Sequence, residues 1–170
     1  MIRILPFETA KDKVEIISKN IPFKNKILEP VSEIEEMYND KRDQYFSNGY
    51  LYRCIEKGEE EGHIVLGVTD VDLYSKNLNF IFGSAQMEGT GCIISTNRLG
   101  EGKILEERVV KEAVHEIGHV IGLDHCSKRH CVMHFSNTLD DTDRKTGWFC
   151  NDCEMKYEDL IRKKNLDFDI

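Results

Sequence analysis

No apolar run in this 170-residue chain approaches the roughly 20 residues that cross a bilayer, which excludes a helical membrane span. The N-terminal segment Met1-Ile2-Arg3-Ile4-Leu5-Pro6-Phe7-Glu8 lacks a basic stretch followed by a long apolar one, so it does not read as a secretory signal. Positive charge is also scarce. Lys and Arg number 23 against 31 Asp and Glu, a formal net charge of −8. The basic patches are no longer than Lys128-Arg129 and Arg162-Lys163-Lys164. A surface that neutralises phosphates needs clustered cations, so nucleic acid is not an expected partner and both patches read as solvated surface. Internal repeats and low-complexity linkers are missing too. The expectation is a single domain over residues 1–170, cytoplasmic, monomeric and off the membrane. In a reducing compartment its six cysteines read as thiols, or thiolates on metal, rather than disulfides.

What is present is an ordinary globular balance, 40% apolar and 32% charged, in a chain long enough to bury a core. Ile2–Phe7 and Asn25–Leu28 read as strands. Thr9 is a candidate cap for a helix over Ala10–Ser18. A helix is expected near Gln44–Glu56, with Tyr45, Leu51, Tyr52 and Ile55 as its apolar members. The run Lys57-Gly58-Glu59-Glu60-Glu61-Gly62 reads as the charged turn that ends it. Ile64–Thr69 is nearly continuously apolar, as expected of a strand covered on both faces. Leu78–Phe82 and Cys92–Ser95 read as further strands. A long amphipathic helix is expected over Leu105–Leu123, burying Val109, Val110, Ala113, Val114, Ile117, Val120 and Ile121. A last helix is expected near Cys153–Lys164.

Two constellations carry chemistry. His115-Glu116-Ile117-Gly118-His119 is H-E-x-x-H inside that long helix. Residues four apart share a helix face, so two imidazoles can reach one ion at about 2.0–2.1 Å, with Glu116 beside them to take a proton from water. Gly122 follows His119 by three residues and His125 follows Gly122 by three. A glycine can end the helix in the left-handed conformation and return His125 to the metal. Three protein ligands leave a position open, the mark of a catalytic zinc. The second constellation is Cys126 and Cys131, four residues between them, with Cys150 and Cys153, two between. Both gaps fit thiolate pairs on a closed structural zinc, and two disulfides are the alternative. Such a site would clamp the C-terminal stretch onto the active-site helix, because Cys126 directly follows His125. Cys54 and Cys92 fall outside the pattern and read as small buried apolar residues. His63, His130 and His134 read as surface histidines.

The string His115-Glu116-x-x-His119-x-x-Gly122-x-x-His125-Cys126-x-x-x-x-Cys131-x-Met133-x-Phe135-Ser136-Asn137, followed by Cys150-x-x-Cys153, resembles the archaemetzincins of the metzincin clan. Gly67–Tyr74, Asn79–Gly83 and Ser95–Leu99 also look like that family's central strands. The resemblance spans most of the chain and is weakest over the first 40 residues or so. It implies an α+β fold, a twisted mixed sheet packed with helices, a metzincin-like active-site helix and a zinc-clamped C-terminal segment within 126–153. It implies two zinc ions: a catalytic one on His115, His119 and His125 with Glu116 as base, and a structural one on Cys126, Cys131, Cys150 and Cys153. Met133 would be an apolar floor beneath the ligands, and the strand around Cys92–Ser95 the edge that pairs with an extended substrate. Some metzincins carry a tyrosine where this chain has Phe135, whose ring has no hydroxyl and reads as packing. The implied activity is zinc-dependent hydrolysis of peptide or protein substrates. The rival expectation is a non-hydrolytic zinc module that binds a partner through its cysteines, although such a module needs neither Glu116 nor a third histidine.

Overall fold

The computed structural model describes residues 1–164; the last six residues of the 1–170 reading lie outside the described residues. In chain order the elements are β1 (Ile2–Pro6), α1 (Val14–Asn20), β2 (Asn25–Ile27), β3 (Tyr38–Asn39), β4 (Gln44–Phe46), α2 (Ser47–Glu61), β5 (Ile64–Thr69), β6 (Leu73–Tyr74), β7 (Gly83–Ala85), β8 (Gly91–Ser95), α3 (Gly102–Ile121), α4 (Leu139–Arg144) and α5 (Asn151–Lys163). The main sheet runs β2-β1-β5-β8-β7. Its first four strands are mutually parallel and β7 is antiparallel to β8. A small second sheet runs β3-β4-β6. The fold is α+β, with a mixed sheet packed by helices.

Strand alternation divides the core in two. Ile64, Leu66 and Val68 of β5, with Cys92 and Ile94 of β8, join the cluster that holds Val14 and Ile17 of α1 and the apolar face of α3. Val65 and Ile93 point the other way, into a cluster with Tyr50 and Cys54 of α2. Every residue of β5 is buried, which explains its unbroken apolar run. Cys54 and Cys92, which fall outside the cysteine spacing pattern, are both fully buried as expected. Burial pushes the Cys54 thiol up to about 12, so it behaves as an apolar side chain.

Four local expectations are corrected. Thr9 caps no helix, because its hydroxyl donates to Glu33 (2.6 Å) and accepts the Asp70 N–H (2.9 Å), and α1 starts at Val14. Gln44–Phe46 is a strand, not the start of a helix. The Tyr45 N–H donates to the Asp72 carbonyl and the Gln44 amide donates to Asp72 and to the Asn79 carbonyl. The charged run from Lys57 is the last turn of α2, where Lys57 pairs with Glu60 and Glu61 at 3.1 Å, and Gly62 ends the helix at φ 64. Tyr52, read as one of that helix's apolar members, is 66% exposed.

A further correction bears on function. Leu78–Phe82 is irregular, since the side chains of Arg42 and Gln44 take the Asn79 carbonyl that a ladder would use. The strand starts only at Gly83, just past the end of that run, and it is this strand that lies at the sheet edge. Cys92–Ser95, expected to be the edge, lies inside the sheet between β5 and β7.

Candidate active site and metal centres

The helix α3 buries Val109, Ala113, Val114, Ile117, Val120 and Ile121, leaving Val110 half-buried. That packing fixes the rotation of the helix and turns His115, Glu116 and His119 toward one cleft. Gly122 then adopts φ 120, and its N–H bonds the carbonyls of Gly118 and His119. This left-handed turn, unfavourable for any residue with a Cβ, swings the chain back. His125 returns with its ring centroid 5.4 Å from that of His115 and 4.7 Å from that of His119. The ligand-type nitrogens of the three rings lie within 4.8 Å of one another.

The donor chemistry fits a cation. The Nδ1–H of His115 donates to the Val132 carbonyl and that of His119 to the Leu123 carbonyl, both at 2.7 Å. A carbonyl only accepts, so each Nδ1 carries the proton and each Nε2 presents a lone pair. Those two Nε2 atoms stand 3.1 Å apart. Two lone pairs facing each other at that distance repel unless a positive ion lies against both. Burial, first of all, lowers the pKa of all three imidazoles, well below the ordinary range for His115, which keeps them neutral and ready to coordinate.

Glu116 is 5% exposed. Burial, and then the Glu112 carboxylate, pushes its pKa well above the usual carboxylate range. It packs flat against β7. A Cβ on Gly83 would stand 2.6 Å from Glu116 Oε1 and 2.8 Å from its Cδ. Gly83→Ala therefore meets the Cγ, Cδ and Oε1 of a buried side chain at 2.6–2.8 Å and drives the carboxylate out of place. The expected result is a kcat lower by about 10–100-fold from misplaced geometry in a protein that still melts as a folded domain. Steady-state kinetics beside a thermal melt check it, and unchanged kcat would refute it.

The cleft has a volume of about 190 Å³ and is lined on one side by Leu78, Phe80 and β7, on the floor by Glu112, His115, Glu116 and His119, and on the far side by His125, Phe135, Ser136 and Asn137. Met133 is fully buried. A Cβ on Gly118 would sit 2.5 Å from its sulfur, so the methionine lies directly beneath the H-E-x-x-H turn. Phe135 is not interior packing. It is 44% exposed and sets its ring edge-on to His125, with centroids 5.2 Å apart. His130 is exposed as expected, and His63 is half-buried. His134, also half-buried, donates its Nδ1–H to the Cys126 carbonyl at 2.8 Å, tying the methionine turn to the cysteine cluster.

The four cysteine sulfurs of that cluster also lie within 4.8 Å of one another. All six cysteines are free, and Cys126 Sγ is 3.8 Å from Cys150 Sγ, beyond bonding distance. Backbone N–H groups already point at sulfur, Lys128 N–H at Cys126 and Cys150 N–H at Cys131 (3.3 Å). Burial opposes ionisation of Cys150, yet the Cys153 N–H and the neighbouring thiols hold its pKa down at about 7. Clustered sulfurs receiving N–H bonds suit a thiophilic cation.

Spacing alone does not reveal three features of the site. Glu112 and Lys145 meet in the interior beside Glu116, with Nζ 3.8 Å from Oε1. Arg108 forms a bidentate pair with Asp143 at 2.7 Å that holds α4 against α3. The closeness of Gly83 to Glu116 is a contact between segments more than 30 residues apart, for which a single sequence carries no signal.

A family model described as Peptidase family M54 matches residues 13–159. The archaemetzincin of Archaeoglobus fulgidus is 41% identical over 161 residues, covering 91% of this chain and 97% of that protein. Its crystal structure superposes with a TM-score of 0.81 at 40% identity, covering 91% of this chain and 98% of that one. The Methanopyrus kandleri archaemetzincin structure gives 0.81 at 31% identity, with 95% and 96% covered. An α+β fold with an H-E-x-x-H helix, a returning third histidine and a four-cysteine cluster, in this company, defines a zinc metallopeptidase and not an interaction module. The chain belongs to peptidase family M54, the archaemetzincins.

Proposed function

We propose that the chain forms one catalytic domain that hydrolyses peptide bonds in this cleft. His115, His119 and His125 hold a catalytic zinc, Glu116 is the general base, and Cys126, Cys131, Cys150 and Cys153 hold a second, structural zinc. The observation that carries this is the pair of Nε2 lone pairs facing each other at 3.1 Å, with Glu116 on the same helix face. Zinc held there supplies Lewis acidity, polarising a carbonyl and acidifying water. Glu116 takes the proton of the attacking water and returns it to the leaving amine, helped by a buried setting that raises its basicity. Phe135 offers no hydroxyl, so no side chain at that position assists the developing oxyanion. An extended peptide substrate pairs with the outer edge of β7, which has no strand partner among the described residues. No helix among the described residues is long and apolar enough to cross a membrane. A cytoplasmic monomer acting on peptides or proteins is the reading that fits.

Metal analysis during peptide digestion tests the proposal. The purified protein should carry two zinc ions per chain. A chelator should remove the one at the exposed His125 first, abolish cleavage of a peptide library, and release activity again when zinc returns. A single tightly held ion, or cleavage indifferent to the chelator, would sink it.

A further inference from the structure

We infer that Glu112 is a specificity-determining residue that receives the cationic side chain of a lysine or arginine flanking the scissile bond. The inference rests on the peptidase reading of the same cleft. Glu112 lies on α3 one turn before Glu116 and lines the cleft although only 3% exposed. The cleft lining there mixes apolar side chains such as Leu78, Phe80, Phe82 and Phe135 with polar ones, among them Glu116, Ser136 and Asn137. A buried carboxylate in such company calls for several donors, because it offers about four acceptor positions.

Glu112 has little to satisfy it. The Thr142 hydroxyl donates to Oε1 at 3.0 Å. The Lys145 ammonium stands 3.8 Å from the same oxygen, outside hydrogen-bond reach, and Nζ makes no hydrogen bond at all. Lys145 thus opposes the upward push that burial gives the Glu112 carboxyl, without filling its acceptor positions. Among the described residues no side chain bonds the second oxygen. A second polar group lining the cleft is also unpaired: Ser136 Oγ is buried and has no hydrogen-bond partner. The cleft therefore holds unfilled polar capacity at both Glu112 and Ser136.

Distance selects the side chain over the chain terminus. Glu112 and Glu116 are separated by one helical turn, about 6 Å along the axis. A lysine or arginine side chain next to the scissile bond spans that gap. A terminal α-ammonium, only two bonds from the scissile carbonyl, falls short of it. The cation enters past the aromatic rim, loses water, and gains a charge-assisted hydrogen bond where a neutral side chain gains only apolar contact.

The test uses zinc-loaded full-length protein and internally quenched, N-acetylated peptides. They carry arginine, its neutral isostere citrulline, or leucine at either position flanking the cleaved bond. The wild type should favour arginine over citrulline in kcat/KM by at least about tenfold, the value of one charge-assisted hydrogen bond. In Glu112→Gln, which still accepts from Thr142, that ratio should fall to near one. If that variant does not fold, the double variant Glu112→Leu/Lys145→Met removes both charges together and should show the same collapse. Peptide binding to Glu116→Gln provides a readout independent of turnover. Equal rates for the three wild-type substrates, an unchanged ratio in both variants, or a preference for free N-termini over basic side chains would overturn the inference and leave the peptidase intact. If no peptide is cleaved or bound by any variant, the peptidase reading itself fails and takes this one with it.

Discussion

Glu116→Gln is expected to lower kcat/KM by about 10²–10⁴-fold, the span usual for loss of a positioned general base, while zinc stays bound. Glutamine has the shape of glutamate and fits the same slot against Gly83, so the fold has no reason to change. It cannot accept and return a proton at neutral pH. His115 and His119 keep their orientation because their bonds to the Val132 and Leu123 carbonyls do not involve residue 116. Loss of rate with retained zinc separates a base from a ligand. Elemental analysis beside steady-state kinetics reads both quantities on one sample. Equal rates in the two proteins would remove Glu116 from the mechanism, and loss of zinc together with rate would reassign it as a ligand.

The parts of this site that were legible in the sequence are those written in short-range chemistry. His115, Glu116 and His119 share a helix face by spacing, Gly122 supplies the one backbone conformation that returns His125, and the cysteine gaps match metal chelation. The central strand was legible because burial on both faces leaves an unbroken apolar run at Ile64–Thr69. What the sequence hid depends on long-range contact. Gln44–Phe46 carries helix-compatible spacing, but Asp72 and Asn79 capture its polar groups and make it a strand. Asn79 loses its carbonyl to Arg42 and Gln44, so an apolar run that reads as a strand becomes the irregular rim of the cleft. The sheet edge moved from Cys92–Ser95 to Gly83–Ala85 for a similar reason. A three-residue strand with no branched side chains carries almost no pattern of its own. Glu112 and Lys145 were invisible as well, since charged residues on a helix are expected to face water unless a partner 30 residues away meets them inside.

Cys150→Ser should weaken both metal centres and the fold between them. The cysteine cluster joins the segment around Cys126–Met133 to the start of α5 in a region with little regular structure. There Cys126 N–H bonds the Met133 carbonyl and Val132 N–H bonds the Trp148 carbonyl. Structural zinc in comparably small modules contributes about 10–16 kcal/mol of apparent binding free energy. Here the main sheet has its own core, so only part of that is lost with one of four ligands. A destabilisation of at least about 3 kcal/mol, or roughly 6–12 °C in Tm, is expected for a domain of this size. The damage should spread to the active site along three short links. Cys126 follows His125 directly, His134 bonds the Cys126 carbonyl, and Met133 lies under Gly118. Loosening them lets His125 drift, and the affinity for the catalytic zinc should drop by about 10–100-fold, as when groups that orient a ligand are lost. Chelator competition against a zinc indicator measures that affinity, and calorimetry measures Tm. A Cys150→Ser protein with wild-type Tm and wild-type affinity at the histidine site would show that the two centres are independent.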